Sequence, residues 1–448
     1  MDLKKFGFYE INHKKFQETH TDYKIYAEVL DEISQEQFYE VLNQKFVTYA
    51  ALMPDAHAGY SMPIGAVCST KDAVIPAFVG FDIGCGMCAY KTDFYKKDIQ
   101  ENADLIYEKI IQEIPLGSKT HKNHQSLKLD LPLTDYAQYL LNTSGLKQLG
   151  TLGGGNHFIE IGYGKDDKVW IVIHSGSRGF GHKIASHYMI QAYLDKNKHE
   201  DKLKKIVEEY TQRNLQYKSN NPEAFQKSLL KVKHKNILEL NKKIDIEKME
   251  GTWELNPNSQ LGKDYIKDQN FALEYALENR KKMINVIHNI LNSTLNSNSK
   301  IDYEDEKKFI NRNHNHVQFN ESTKEWIHRK GATDAQKNMT GVIPGNMRDG
   351  SFIIIGKGCN DSLNSSSHGA GRVMSRKKAK TNINMQEFKD SMKGIKGTID
   401  ENTIDEAPFA YKDIFEVMKL QEDLVEIIDH VKVLINIKDN TGKKYKKS

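Results

Sequence analysis

Six short strings in this 448-residue chain, five of them bearing glycine, gather side chains suited to ligating metal ions or attacking as nucleophiles. "PDAHAGYSMPIGAV" carries Asp55 and His57, and "VGFDIGCGMCAY" carries Asp82, Cys85 and Cys88. "LGTLGGGNHFIEI" supplies Asn156, His157 and Glu160, and "VIHSGSRGFGH" supplies His174 and Arg178. "NRNHNHVQF" brings His314 and His316, and "NSSSHGAGRVMSRKKA" brings His368, Arg372 and Arg376. Glycine lets backbone approach a phosphate or an ion closely. Histidine, aspartate and cysteine are metal ligands, and the arginine guanidinium is a fork for phosphate. A lone histidine in a loop is more often structural than functional, but six such strings in one chain point to a site that handles metal and phosphate together.

The four cysteines, Cys68, Cys85, Cys88 and Cys359, are too few and too scattered for a disulfide framework. Cys85 and Cys88 form a C-x-x-C, but there is no second one to complete a four-cysteine zinc site. A redox pair normally opens a helix after a strand, whereas this one follows an aspartate among glycines. Cys85 therefore reads as a metal ligand sharing its turn with Asp82, and Cys88 as a small buried residue. Thiolate and imidazole favour zinc, while a bridging thiolate with histidine and carboxylate also suits two harder ions; ligand type alone does not choose.

The elements that must hold these strings are mixed. "DYKIYAEV" and "FVTYAALM" read as strands, with "SQEQFYEVLNQ" between them as a helix capped by Ser34. "KKDIQENADLIYEKIIQEI" reads as a helix, "KVWIVIH" as a buried strand, and a further helix starts from His182. The stretch of about 183–300 is rich in Lys, Glu, Asn and Gln with helical periodicity, and reads as a helical insertion containing one long amphipathic helix over "KDYIKDQNFALEYALENRKKMINVIHNIL". "SNNPEAF" marks a break and "LNSTLNSNSK" a loop. "GSFIIIGKG" is a strand, and "LQEDLVEIIDHVKVLINIKDN" reads as helix then strand. The fold class is α+β: one large mixed domain over 1–448, with a core of about 23–182 and 301–438 around the insertion.

Composition agrees. Hydrophobic residues make up 38% and charged residues 28%, the balance of a soluble globular chain. No apolar run reaches the about 18 residues of a membrane span, and the N-terminus lacks a signal-peptide core, so a cytoplasmic location and no membrane partner are expected. A net charge of +4 does not by itself announce nucleic acid. Local lysine clusters matter more: "SRKKAK" is either a nucleic-acid contact or a solvated face, while "KKYKKS" reads as a frayed tail.

These strings, in this order, resemble the RtcB family of RNA-splicing ligases from about Pro54 to Lys438. The most specific are "GTLGGGNHFIEI", "IHSGSRG", "HRKGAT" and "SSSHGAGRVMSR", joined by "YIKDQNFALEYALENR" and "APFAYKD". The resemblance implies joining of an RNA 2′,3′-cyclic phosphate or 3′-phosphate end to a 5′-hydroxyl end, with GTP and two Mn²⁺ ions. It makes His368 the carrier of a guanylyl group. It makes Cys85 a ligand bridging both ions, with Asp82 and His157 on one and His174 and His314 on the other; in "NHNHV" it selects His314 over His316. It places Asn156, Glu160, Ser351, Gly369, Ala370, Tyr411 and Lys438 at the nucleotide, with Lys438 on the guanine edge. Arg178, Lys330 and Arg372 fall to phosphate or RNA. An archease-like activating partner is also compatible with the family, as are both transfer-RNA splicing and RNA repair.

Three departures stand out. Asn346 replaces a common serine, Cys88 replaces an arginine, and a tail of about ten residues follows Lys438. They bear on substrate choice and leave the nucleophile and metal set whole. The rival readings are a metal-dependent RNA-end phosphoesterase and an RNA-binding protein on the same scaffold. Hydrolysis would need neither His368 nor Lys438, and a degenerate scaffold would have lost ligands.

Overall fold

The segment Val425–Ile437 sets the frame. Its valines and isoleucines give it strong strand character, and most of its C-terminal half is buried. It takes the third place in a sheet ordered Thr340–Pro344, Ser351–Gly356, Val425–Ile437, Phe158–Tyr163, Lys168–Ser175, Gly86–Tyr95 and Phe309–Asn313, antiparallel along this path. A second sheet is ordered Asn315–Asn320, Glu325–Lys330, Met62–Thr70, Val47–Tyr60 and Asp22–Ile25, with only the last pair parallel. The computed structural model describes residues 3–196, 200–242 and 252–441. The "KKYKKS" tail lies outside them.

The two sheets share a segment. Phe309–Asn313 ends the first and Asn315–Asn320 begins the second, so His314 is the single residue between them. Its N–H donates to Cys85 O at 2.9 Å, and Gly84 N–H donates to Asn315 O at 3.0 Å.

The helix Gln260–Thr294 runs through the core, although the sequence places it in the insertion. Tyr265, Phe271, Ala272 and Tyr275 pack into one buried cluster with Phe180 and Ile184. Met283, Ile284, Ile287 and Leu291 pack into another with Ile159, Ile171 and Ile173. Its apolar spacing thus serves two cores in succession. The described insertion also holds most of the helix Arg178–Lys196 and the helices Glu200–Arg213, Leu215–Asn220 and Pro222–Lys242.

Several local expectations shift. Asp31, not Ser34, caps the helix Glu32–Leu42: its carboxylate accepts from Ser34 N–H at 2.9 Å, and Ser34 lies inside the first turn. "DYKIYAEV" divides into Asp22–Ile25 and the start of Val29–Asp31, which pair with different strands. The helix expected from His182 begins at Arg178, and the long helix continues to Thr294. The helix expected at Leu420 is a turn; the helix ends at Lys419, and the β-branched run from Val425 is all strand. Among the described residues, no helix is long and apolar enough to cross a membrane.

Candidate active site

The seam between the sheets collects the side chains singled out above. Asp82 and Cys85 lie in the turn between the short helix Pro76–Val79 and the strand Gly86–Tyr95. Gly84 bends that turn at φ +71°, and a Cβ there would stand 3.1 Å from Ala276 Cβ of the long helix. His157 immediately precedes the strand Phe158–Tyr163, and His174 is near the end of Lys168–Ser175.

The ligand atoms form a string. Asp82 Oδ2 is 3.2 Å from His157 Nε2, which is 3.3 Å from Cys85 Sγ. Cys85 Sγ is 3.2 Å from His174 Nε2, which is 3.3 Å from His314 Nε2. The sulfur is central, with a histidine on either side and one further donor at each end. Cys85, His157 and His174 are grouped closely enough to hold an ion. His157 Nδ1 is 3.0 Å from Leu152 O, a contact that orients the ring with Nε2 toward the sulfur and Asp82. Burial pushes His174 and His314 well below the usual imidazole range, so both are neutral and fit to ligate. Burial opposes charge on Asp82, but His157 and Arg178 outweigh it and hold the carboxyl low. Burial, reinforced by Asp82, pushes the Cys85 thiol well up. Two neutral nitrogens facing each other, a buried sulfur and a carboxylate make a donor set that fits cations. His316 is turned away, 3.2 Å from Gln318 Oε1.

Behind the string, two neighbours on the long helix fix the turns. Asn279 Oδ1 accepts from Gly150 N–H at 2.7 Å and Thr151 N–H at 3.0 Å, and its Nδ2 donates to Ser175 Oγ at 3.1 Å. Arg280 is fully buried. It donates to Gly84 O at 3.0 Å, Ser175 O at 2.7 Å, Asn311 Oδ1 at 2.9 Å and Asn313 Oδ1 at 2.7 Å. It thus touches a neighbour of Cys85, of His174 and of His314.

His368 faces the string from the other sheet's side. Its ring centroid is 4.8 Å from that of His314. Asp55, buried in the strand Val47–Tyr60, accepts from His368 Nδ1–H at 2.7 Å, His368 N–H at 3.1 Å and Gly369 N–H at 3.2 Å, all through Oδ2. Burial works against the Asp55 charge, but His368, His57 and Lys412 hold its carboxyl low. The Asp55 contact puts the ring proton on His368 Nδ1 and leaves Nε2 with the lone pair, the form in which an imidazole can act as a nucleophile. Gly371 closes the loop at φ +76°, where a Cβ would collide with Asp55 O. Burial pushes His57 down to about 4, so it is neutral beside His368.

From His368 and His174 a cavity of about 610 Å³ extends past Asn156, Gly369, Ala370, Arg372, Tyr411 and Lys438. Four polar residues that line it, Arg372, Arg376, Tyr411 and Lys438, converge on Glu406. That carboxylate accepts from Lys438 Nζ at 2.7 Å, Tyr411 OH at 2.6 Å and Arg372 Nη1 at 3.0 Å, and also from Arg376. Burial opposes the Glu406 charge, but Lys438, Arg376 and Arg372 hold it ionised. Asn436 lines the cavity and pairs across the sheet with Glu160. Glu160 Oε1 and Asn436 Oδ1 are buried without hydrogen-bond partners. Burial pushes the Glu160 carboxyl up to about 8, against the pull of Ser351 and Lys438. The orphaned Asn436 oxygen in the cavity wall suits a heterocycle that brings its own donors, so the residues present fit a nucleotide.

Two of the singled-out cations stand apart from the cavity. Arg178 lies beside His157, with Nε donating to Thr151 Oγ1 at 3.3 Å. Lys330 Nζ donates to Tyr60 O and, at 3.2 Å, to Ala77 O. The sequence reading passed over Glu406, whose string "TIDEAPF" has neither glycine nor histidine to flag it. It passed over Arg280 too, one of many charges on an amphipathic helix. Asp55 and Arg376 were in the strings but had no role.

The profile of the family described as tRNA-splicing ligase RtcB matches residues 37–144 and 134–439. An RNA-splicing ligase RtcB1 of Escherichia coli strain ATCC 25922 is 34% identical over 412 residues, covering 87% of this chain and 90% of the relative. This chain belongs to the RtcB family. The RNA-splicing ligase RtcB of Escherichia coli K12 is likewise 34% identical, over 87% of this chain and 90% of its own. A tRNA-splicing ligase RtcB of the archaeon Nanoarchaeum equitans is 26% identical over 85% of each chain. The matched span of the RtcB profile takes in every residue of the ligand string, His368, Tyr411 and Lys438.

Proposed function

We propose that this RtcB family member is an RNA ligase that joins a 2′,3′-cyclic phosphate or 3′-phosphate end to a 5′-hydroxyl end, using GTP and two Mn²⁺ ions. The observation that carries the reading is the placement of His368. Its Nδ1 is locked to Asp55 at 2.7 Å, and its ring abuts His314, where the ligand string meets the nucleotide-sized cavity.

In this reading Asp82, Cys85, His157, His174 and His314 would hold the two ions. When bound, the ions supply Lewis-acid charge to the phosphoryl groups. Lys438 and Glu160 hold the guanine, beside Asn156, Ser351, Gly369, Ala370 and Tyr411. His368 Nε2 attacks the α-phosphorus of GTP, forming a histidine–GMP phosphoramidate as pyrophosphate leaves. Asp55 keeps the Nδ1 proton and balances the cationic ring. A cyclic end is first hydrolysed. The RNA 3′-phosphate then takes GMP from His368, and the 5′-hydroxyl attacks that activated phosphate as GMP departs. Arg372 stands in the cavity on the phosphate side, while Arg178 and Lys330 act from outside it. Splicing and repair substrates, and an archease-like activator, fit the same chemistry.

The test is incubation with α-labelled GTP and Mn²⁺ followed by a denaturing gel. A labelled protein band that is absent in His368→Ala is expected. No adduct with the wild-type chain across several divalent metals refutes the reading. Opening of a cyclic phosphate without joining would favour the phosphoesterase instead.

A further inference from the structure

Three aromatic rings stand in a row outside the ligand string. Tyr60 and Phe81 are 5.9 Å apart and nearly perpendicular; Phe81 and His182 are 5.1 Å apart and stacked. Tyr60 is 57% exposed, and it is the only one of the exposed large hydrophobic side chains among the described residues that lines the catalytic cavity. Phe81 directly precedes Asp82, whose side chain is 40% exposed. The row therefore begins at the cavity lip and passes over the open end of the string.

The backbone under these rings is fixed. Tyr60 ends one strand of a hairpin, and Ser61 turns it at φ 56°. Gln37 clamps the neighbouring Gly59, donating to its O at 2.7 Å and accepting from its N–H at 3.0 Å. Lys330 Nζ donates to Tyr60 O and to Ala77 O, the latter in the short helix that leads into Phe81. One lysine so ties the Tyr60 tip to the Phe81 turn. His182 lies in the first turns of the helix Arg178–Lys196, four residues after the start, with exposed Lys183 beside it. An exposed aromatic ring held on a rigid tip at a site mouth is preorganised for a flat apolar partner.

We infer that Tyr60, Phe81 and His182 form a stacking platform for the unpaired terminal bases of an RNA strand whose end reaches His368. The inference rests on the RNA ligase reading. A strand whose terminal phosphate lies at His368 must leave through the open side of the cavity, and Tyr60 forms part of that lip. Stacking needs only a π-face, so the platform accepts any base and suits an enzyme that joins ends of varied sequence. Lys330 then acts as a positioning residue for the platform through its carbonyl contacts.

The test uses the full chain and two single-stranded RNA oligonucleotides labelled far from the reactive end, one ending in a 3′-phosphate and one in a 5′-hydroxyl. Each is made with its terminal base intact or abasic, and binding is followed by fluorescence anisotropy. Loss of one base–aromatic stack, about 1–3 kcal/mol, corresponds to a rise in Kd of roughly 5- to 150-fold. Tyr60→Ala is expected to weaken at least one intact strand within that range, and Tyr60→Phe to restore it. With the abasic strand, Tyr60→Ala is expected to add little, because the partner is already gone. His182→Ala is expected to give a smaller effect on the same strand. Unchanged thermal melting of Tyr60→Ala shows that the chain still folds. If wild-type chain forms the labelled GTP adduct and binds both strands while Tyr60→Ala leaves both Kd values unchanged, the platform alone is refuted. Equal weakening of intact and abasic strands also overturns it. If the wild-type chain binds neither strand, the platform and the RNA reading fall together.

Discussion

Asp55→Asn separates two things that Asp55 does for His368. Three donors converge on Oδ2: the His368 ring N–H, the His368 backbone N–H and the Gly369 backbone N–H. An asparagine side chain will therefore place its carbonyl oxygen there, keeping the tautomer and the ring orientation. Its amide then falls at the position of Oδ1, which is buried without a partner. What is lost is the negative charge opposite a ring that, in the proposed reaction, would turn cationic as the phosphorus–nitrogen bond forms. For unit charges about 4 Å apart at an effective dielectric of about 20, that attraction is roughly 4 kcal/mol. With the ring half charged in the transition state the loss is about 2 kcal/mol, and with full charge about 4 kcal/mol. At about 1.4 kcal/mol per tenfold, adduct formation should slow by roughly 30- to 1,000-fold. The assay is single-turnover formation of the labelled GTP adduct by rapid quench, with thermal melting to show that the variant folds. A rate within threefold of wild type in a folded variant refutes the argument that Asp55 acts through charge. Complete loss of adduct would instead show that tautomer and orientation were not preserved.

Two further outcomes follow from buried groups. Arg280→Met strands four acceptors, Gly84 O, Ser175 O and the side-chain oxygens of Asn311 and Asn313. The relief of guanidinium desolvation offsets part of this, leaving a destabilisation of about 3–5 kcal/mol in urea unfolding; a loss below about 1 kcal/mol would count against the role given to Arg280. Glu160, pushed up to about 8, retains a proton in the folded chain that the unfolded chain releases from about pH 4.5 upward. Its contribution is full below the unfolded value and is lost as pH rises through the folded one, so stability falls over that window. Without nucleotide, Glu160→Gln should lose less of its melting temperature than wild type between pH 5 and 8, and parallel declines would show that Glu160 is not the group responsible.

The seam was legible in the sequence where chemistry and backbone need coincide. Cys85, His157 and His368 each stand beside glycines that their tight turns require, so residue type and local geometry flagged the same positions. Arg280 and Glu406 were not legible for the opposite reason. Each looks like an ordinary surface charge in its own string, and its burial is decided by partners far along the chain: Asn311 and Asn313 for one, Lys438 and Tyr411 for the other. The fold shows the same division. Segments whose period is strong, such as Lys96–Glu113 and Lys168–Ser175, lie where their spacing puts them. The Leu420 end failed because its polar residues fit a helix start, while the strand's pairing with Ser351–Gly356 and Phe158–Tyr163 is non-local. Ser34 failed as a cap because Asp31, three residues earlier, accepts from the Ser34 N–H and starts the helix ahead of it.

The single residue between the two sheets gives His314 a mechanical meaning. Cys85, His157 and His174 ride on one sheet, while Asp55, which orients His368, rides on the other. The gap across which the guanylyl group would be handed over is therefore a distance between two frames, and His314 is the pin that joins them. Substitutions deep in the packing between the frames, touching no ligand and no substrate, would alter that gap and detune the reaction. The enzyme would then be sensitive to its own architecture: a chain with every catalytic side chain present would be silent if its two halves settled out of alignment.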